Sequence, residues 1–476
     1  MQKTMKKHIL FLVAAFALLL SSCNDMLDID NPTDRLSADA AYSSVDGIKA
    51  AETGLYTENF QSNSLYWQLV DLYFPMFSDE TMSNILASWI PYYSNDYGPT
   101  TGMMQTFWLS AYKSIYLSND FLTRISGTTL IPAATLSAYE GEAKYFRAYC
   151  YLLLTGMYGD VPLVLTNDYR VAATLPRAPQ ADVYAQIEAD LKAAQEGLHG
   201  FGNPKTRITE YAATALLART YLYEGKWQEA VNEASKLIPV ADGGKGEGSF
   251  KLETIDRVFK SSSEEAISQL NSEGLMGSGR YVGYTSISSM WVPNGPVALC
   301  RLTDTLVDDL KADPHDLRLL WIDSVGSGTR KSYYPYKYKN KTTPASPADY
   351  EYFVYLRLAE QYLIRAEANA HIGNTAATVS DLNVIRRRAG VAELSTGMGQ
   401  DELLLAIESE RRKELFCEQG HRWFDLVRTG RADAVYSAQS YKTGWKSYKR
   451  LMPVPEKEIL NNPSLTQNPG YDDVSQ

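Results

Sequence analysis

The stretch that decides the fold reads Thr214-Ala215-Leu216-Leu217-Ala218-Arg219-Thr220-Tyr221 and leads through Gly225 to Ala230 and Ala234. Apolar and small residues recur in it at intervals of three and four, which places them on one face of an α-helix. Gly225 can adopt the left-handed backbone conformation that ends a helix. The stretch therefore predicts two antiparallel helices that cross closely at alanines.

The same arrangement recurs later, where Ala366 precedes Gly373 by the interval that separates Ala218 from Gly225. A helix, a glycine turn and a second helix with small residues at the crossing form the tetratricopeptide pattern. The alternative is two unrelated helical hairpins. The periodicity predicts helices over residues 37–60, 103–125, 133–158, 181–198, 209–239, 350–371, 375–389 and 401–428. The predicted fold is an all-α, tetratricopeptide-like scaffold of helical hairpins with an irregular C-terminal tail.

Two segments interrupt the helical pattern, at about residues 61–102 and 242–347. They are rich in proline, glycine, tyrosine and tryptophan, and their apolar residues follow no helical period. Both are too long to be simple connections, and long loops on a rigid scaffold commonly carry function. We expect them to be loop insertions that form the ligand-binding surface.

The N-terminus predicts a lipoprotein. Lys3, Lys6 and Lys7 precede an apolar run from Ile9 to Leu20, and two serines stand before Cys23. This order is typical of a secretory signal peptide, and the run is too short to span a bilayer of ~30 Å. We expect a signal peptide at 1–22, a lipid on the Cys23 sulfur, an acidic tether at 23–36 and a single domain at 37–476. The alternative is an ordinary secreted protein.

Composition limits the chemistry. The formal net charge of −10 argues against nucleic acid, because phosphate binding needs clustered Lys and Arg. Cys417 and His421 stand four apart in a predicted helix, which makes half of a zinc site, but no second pair appears. Glycine-serine motifs lack the setting of a hydrolase nucleophile. Paired carboxylates are the one enzymatic arrangement that the sequence leaves open. We otherwise expect no catalytic residue, no metal site and no cofactor; a structural divalent ion in a loop is left open.

Several motifs resemble those of the SusD/RagB family. The run that is similar to the family's signature helix is Glu410-Arg411-Arg412-Lys413-Glu414-Leu415-Phe416, then Glu418 and Gly420-His421-Arg422-Trp423-Phe424-Asp425-Leu426-Val427-Arg428-Thr429-Gly430. The closing motif is matched by Leu451-Met452-Pro453-Val454-Pro455 and by residues 462–471. A third block is matched by residues 143–149 and 158–163.

The resemblance implies a function as well as a fold. It implies a non-enzymatic lipoprotein of the outer membrane, exposed at the cell surface, that binds oligosaccharide or polysaccharide for nutrient uptake. Its implied partner is a SusC-like TonB-dependent transporter, which imports the glycan. Two alternatives stay open: the same scaffold binding peptides, and an all-helical glycoside hydrolase or lyase. The sequence does not identify the glycan.

The candidate ligand-binding residues form two aromatic clusters. Sugar rings have apolar CH faces and hydroxyl edges, so tyrosine and tryptophan beside short polar side chains suit them. The first cluster comprises Trp89, Tyr92, Tyr93, Asn95 and Asp96, and the second comprises Arg280, Tyr281, Tyr284, Trp291 and Asn294. The alternative for Trp89 and Trp291 is that they cap the core or face the transporter.

The signature run also has a reading from its residue types alone. Glu410, Arg411, Arg412 and Glu414 have the spacing of i,i+3 and i,i+4 ion pairs on one helix. Leu415, Phe416, Trp423, Phe424 and Leu426 are expected on its buried side. We therefore expect a structural, not a catalytic, role for this run.

Overall fold

The computed structural model describes residues 41–60, 69–83, 85–239, 247–270, 286–328 and 331–471. The chain divides into two compact units, residues 1–51 and 52–476. Of the first unit only residues 41–51 are described, and they hold the start of helix α1. The signal peptide, the Cys23 lipid site and the tether lie outside the described residues and stay predictions.

Helices dominate the described residues. They are α1 (Val45–Phe60), α2 (Val70–Phe77), α3 (Ile90–Tyr93), α4 (Gly102–Ile125), α5 (Ala133–Tyr158), α6 (Tyr169–Ala172), α7 (Gln180–Leu198), α8 (Glu210–Glu224), α9 (Trp227–Leu237), α10 (Ser286–Trp291), α11 (Asp304–Lys311), α12 (Leu358–His371), α13 (Thr375–Arg388), α14 (Gln400–Leu415), α15 (His421–Arg428), α16 (Ala432–Ser437) and α17 (Glu456–Asn461).

The long helices pack as a row of neighbours. Helix α5 packs between α4 and α7, α8 between α7 and α9, and α12 contacts α9, α13 and α14. Gly225 and Gly373 end α8 and α12 with φ of 72° and 79°, the left-handed conformation that glycine adopts without strain. Ala218 and Ala366 are fully buried at the crossings. The predicted all-α, tetratricopeptide-like fold is confirmed.

The segment 209–239 forms the two antiparallel helices predicted for it, which Gly225 separates. Two other predicted helices need correction. The segment 350–371 begins as a strand, where Phe353-Val354-Tyr355-Leu356 is buried on both faces. The segment 401–428 is also two helices, since Cys417 and Gln419 turn the chain with φ of 56° and 48°. Cys417 and His421 therefore do not share a helix face, and their predicted placement on one helix was wrong.

Six short strands lie in or beside the irregular segments. They are β1 (Thr81–Met82), β2 (Ala266–Leu270), β3 (Arg301–Leu302), β4 (Ile322–Val325), β5 (Ser332–Pro335) and β6 (Phe353–Arg357). They form three antiparallel pairs, β1–β3, β2–β6 and β4–β5. In the first pair Thr81 opposes Leu302 and Met82 opposes Arg301, so the two irregular segments are tied to each other.

Within the described ranges, no helix combines the length and hydropathy needed to cross a bilayer. Cys150, Cys300 and Cys417 are buried free thiols. Cys150 lies on α5 as predicted, whereas Cys417 lies in the turn between α14 and α15.

Candidate functional site

The first aromatic cluster lies on a short turn of helix that follows β1. A 3-10 turn, Ala87–Trp89, runs directly into α3, whose first turn contains Pro91. Proline suits this position because its fixed φ is helical and its missing N–H has no helical partner there. The successive turns carry Trp89, Tyr92 and Tyr93 on a single compact support.

Tyr73 on α2 joins the cluster, although the sequence analysis did not select it. Its ring centroid lies 5.1 Å from that of Tyr92 and 6.3 Å from that of Trp89, both edge-on. Burial and the neighbouring Tyr92 raise the pKa of Tyr73 to about 12, and burial raises the pKa of Tyr92. Both phenols therefore stay protonated at neutral pH and can donate hydrogen bonds to sugar oxygens.

Exposure separates the members of the first cluster. Trp89 is only 8% exposed, Tyr92 and Tyr93 are half-buried, and Asp96 is exposed. Tyrosine rings and a carboxylate are thus the groups that this turn presents to solvent. Trp89 is instead buried, and its ring packs edge-on against that of Tyr73.

Asn95 shapes the loop from inside. It is fully buried with φ of 57°, a left-handed conformation that asparagine tolerates better than most residues. Its Nδ2 donates to the carbonyl oxygen of Phe77 at 3.0 Å, and its own carbonyl oxygen accepts from Lys449 Nζ at 2.8 Å. Gly444 completes the support, since its N–H donates to the carbonyl oxygen of Ser94 at 2.9 Å.

The second aromatic cluster is only partly within the described residues. Arg280, Tyr281 and Tyr284 lie outside them. Trp291 is 1% exposed, with its ring centroid 6.1 Å from that of Tyr338, which favours the core-packing alternative for this residue.

Asn294 is exposed, and its Oδ1 accepts a hydrogen bond from Lys341 Nζ. The structure does bring the two loop segments together, through β1–β3 and through Thr303, whose Oγ1 donates to the carbonyl oxygen of Asp79 at 2.7 Å.

The signature run anchors this loop from the scaffold side. Asp79, next to β1, accepts from Arg422 Nε at 2.7 Å and from Arg412 Nη2 at 2.8 Å. Burial opposes ionisation of Asp79, but the two guanidiniums outweigh it and hold its pKa at about 2. The charged side chains of the signature run therefore fix the segment that leads into the first aromatic cluster.

Three acidic residues of the run, Glu410, Glu414 and Glu418, belong to a buried group of ion pairs, which we call the ionic junction. Its members are Glu265, Arg318, Lys337, Arg357, Arg388, Glu410, Glu414 and Glu418. Arg357 Nη1 donates to Glu414 at 2.6 Å, and its Nε donates to Glu418 at 2.7 Å. Arg318 Nη1 donates to Glu410 at 2.5 Å.

The ion pairs of the signature run correct one prediction, about pairing within the helix, and confirm another, about its structural role. The expected pairs among Glu410, Arg411, Arg412 and Glu414 do not form; each of these side chains pairs instead with another element of the fold. Burial explains the difference, because side chains that face the interior meet partners from other helices and strands. The expected structural role of the run is confirmed by these contacts.

A cavity of about 350 Å³ lies elsewhere, among α9, α12, α14 and α15. Trp227 stacks on His371 at its edge, with ring centroids 3.9 Å apart. Its charged lining is already paired, since Arg428 binds Glu367 at 2.6 Å and Arg411 binds Asp425 at 2.7 Å. Among the residues that the structure describes, no cluster of three or more His, Cys, Asp or Glu is placed to hold a metal ion.

The fold defines a class: a protein with a helical-repeat scaffold interrupted by long irregular segments. Comparison with known families agrees with the resemblance seen in the sequence motifs. A family model described as "SusD family" matches residues 322–471, and one described as "Starch-binding associating with outer membrane" matches residues 25–222. The chain is therefore a SusD/RagB family protein. The description of the second model is that of starch-binding proteins associated with the outer membrane.

Individual relatives agree with this assignment. The SusD-like protein P2 of Formosa agariphila is 26% identical over an alignment that covers 98% of this chain and 100% of the relative. The starch-binding protein SusD of Bacteroides thetaiotaomicron is 33% identical over 146 residues, which are 28% of this chain and 24% of SusD.

Solved structures share the fold. A SusD superfamily protein of Bacteroides vulgatus superposes with a TM-score of 0.77 at 22% identity, covering 90% of this chain and 99% of that one. A laminarin-binding SusD-like protein superposes with a TM-score of 0.72 at 25% identity, covering 90% and 100%.

Proposed function

We propose that this protein is a cell-surface lipoprotein that captures a neutral oligosaccharide on the first aromatic cluster and delivers it to a SusC-like TonB-dependent transporter. The observation that carries the proposal is the pair of half-buried tyrosines, Tyr92 and Tyr93, on a turn fixed to the scaffold at both ends. Their rings offer stacking faces, and Asp96 beside them accepts hydrogen bonds from hydroxyls. Family membership supports the choice of glycan as ligand.

The mechanism follows from how firmly the turn is held. Asp79, Asn95 and Gly444 fix its flanks, so the tyrosine rings are ordered before the ligand arrives. Preorganisation reduces the entropy lost on binding. No covalent step is required, because capture and release need only reversible stacking and hydrogen bonding.

Calorimetric titration of the full-length chain in detergent tests the proposal. The panel would contain oligosaccharides derived from starch and from laminarin, together with peptides, and product formation would be followed in the same samples. We expect saturable glycan binding without turnover. Turnover would favour the hydrolase or lyase alternative, and peptide binding alone would replace glycan as the cargo.

A pair of variants assigns the site. Tyr92→Ala with Tyr93→Ala should weaken glycan binding by about tenfold or more, which corresponds to about 1.4 kcal/mol. The matched control is Tyr92→Phe with Tyr93→Phe, which keeps both rings and should retain most of the affinity. Equal affinity of the alanine variant and the parent protein would place the binding site elsewhere.

The anchor and the partner need separate tests. Cys23→Ala should move the protein out of the membrane fraction and abolish labelling by a fatty-acid analogue, since one lipidated cysteine would supply the anchor. Affinity purification of the tagged chain from outer membranes of its native host should recover a TonB-dependent barrel. Recovery of the chain alone would contradict the delivery step.

A further inference from the structure

A second groove lies between α4, α6 and α17. It encloses about 280 Å³ and is lined in part by Leu109, Tyr112, Tyr116, Tyr169, Glu458 and Asn461. Tyr169 is 74% exposed and Tyr116 is 45% exposed. The segments around the groove also expose Leu165, Val171 and Leu460. Large exposed apolar groups concentrated in one place mark a binding surface.

The framework of the groove is fixed. Tyr112 is half-buried, and its hydroxyl donates to the carbonyl oxygen of Pro162 at 2.8 Å. Asn462, beside Asn461, is buried, and its Nδ2 donates to the carbonyl oxygen of Leu175 at 2.9 Å. These bonds hold the loop after α5 and the C-terminal helix α17 in place. The exposed tyrosines are thus mounted on an ordered wall.

The lining chemistry selects the ligand. Aromatic rings stand beside one carboxyl group and one exposed amide, and none of the described lining residues is a lysine or arginine. Arg177, whose charge acts on Tyr112, is bonded to backbone carbonyl oxygens, so an anionic ligand would find no unpaired cation among these residues. The volume lies near the lower end of the ~300–1,000 Å³ range of small-molecule sites. A helix ~10 Å across would not fit, whereas a short length of neutral glycan would.

We propose that this groove is a second subsite for neutral carbohydrate, in which Tyr116 and Tyr169 stack on sugar rings and Glu458 and Asn461 bind hydroxyls. This inference rests on the proposed glycan-binding function. The C-terminal segment connects the two sites, because the Glu456 N–H at the start of α17 donates to the carbonyl oxygen of Pro99 at 3.1 Å. A polysaccharide that engages both sites gains affinity through effective concentration.

Stoichiometry tests the second subsite directly. The full-length chain would be titrated with laminarin- and starch-derived oligosaccharides, alongside three variants. These are Tyr116→Ala with Tyr169→Ala (groove variant), Tyr92→Ala with Tyr93→Ala (cluster variant) and all four changes together. We expect two sites in the parent protein, one in the groove variant, one in the cluster variant and none in the combined variant. Tyr116→Phe with Tyr169→Phe is the matched control and should keep two sites.

The alternative outcomes are distinguishable. A parent protein with one site, and a groove variant that binds identically, would overturn the second subsite and leave the proposed function standing. No glycan binding by the parent protein would overturn both proposals. Loss of transporter capture by the groove variant, with its glycan stoichiometry unchanged, would make the groove a protein-docking surface instead. Both tyrosines are largely exposed, so their truncation should leave the fold intact.

Discussion

The ionic junction and the first aromatic cluster are held in opposite ways. In the junction, Arg357 is 2% exposed and each of its nitrogens faces a carboxylate or carbonyl oxygen. In the cluster, the rings of Tyr92 and Tyr93 are half-buried, and that of Tyr92 packs edge-on against Tyr73 and Phe77. The comparison shows that buried ion pairs stabilise the helical scaffold, which we call the frame. The tyrosine rings take no part in this and stay available for a ligand.

Arg357→Met should produce the largest effect on the frame. It leaves Glu414 and Glu418 buried opposite a methyl group, and breaking a buried ion pair from one side costs ~3–5 kcal/mol. Urea unfolding should show this loss in the free energy of unfolding. Arg387→Ala is the matched control, because the Arg387–Glu393 pair is exposed and screened by solvent, so its loss should change stability little. Equal losses in the two variants would contradict the distinction between frame and surface.

Gly444→Ala should damage the cluster and spare the junction. A Cβ at this position would lie 2.6 Å from the Cα of Asp96, so the loop backbone must move. Overpacking of this kind costs ~1–3 kcal/mol, and we expect glycan affinity to fall while the buried ion pairs persist. The control is Gly397→Ala, where no atom lies within 4 Å of the added Cβ. Unchanged glycan binding in Gly444→Ala would show that Asp96 and its neighbours lie outside the ligand site.

Glu80→Gln should change the pH dependence of stability. Burial, and then the neighbouring Asp79, raise the pKa of Glu80 from 4.5 to about 8. Between about pH 5 and 8 the unfolded chain has lost a proton that the folded chain keeps, so stability falls as pH rises. The variant removes this group, and we expect it to be more stable than the parent protein at pH 8, by roughly 1–2 kcal/mol.

Thermal unfolding from pH 5 to 9 measures the effect of Glu80→Gln. Some slope should remain, because burial and Glu142 also raise the pKa of Glu52 to about 8. Parallel curves for the two proteins would show that Glu80 is ionised throughout this range.

Trp291→Phe should have the smallest effect on binding. Its ring is buried against Tyr338, so the change should alter glycan affinity by no more than about twofold, or about 0.4 kcal/mol. Calorimetry of the variant with Tyr92→Ala and Tyr93→Ala provides the comparison. A loss of glycan affinity as large as in that variant would show that Trp291 belongs to the ligand surface.

The sequence predicted the frame well because the frame is built from local patterns. The bounds of α5 were predicted to the residue, and Gly225 and Gly373 were found where glycine permits a left-handed turn. The family motifs identified the signature run. The breaks after Leu415 and before Leu358 were missed, because a left-handed Cys417 and a buried strand leave no local signal distinct from helix.

The sites were harder to predict because they depend on contacts between distant residues. The roles of Asn95, Lys449 and Gly444 require positions some 350 residues apart along the chain to meet. Burial of Trp291 and participation of Tyr73 likewise follow from packing between elements. Composition could select aromatic loops, but it could not say which rings face solvent.

The left-handed Asn95 has a consequence for redesign. Its side chain donates to the Phe77 carbonyl oxygen and its own carbonyl oxygen accepts from Lys449. These two bonds fix the end of the turn and involve none of the aromatic rings at positions 89–93. Under the proposed function, positions 92 and 93 can then be randomised, with Asn95 and Gly444 kept constant, to change which sugar is bound. The side chains at these two positions would set selectivity while the buried contacts set the geometry of the turn, so a library of receptors could share one scaffold.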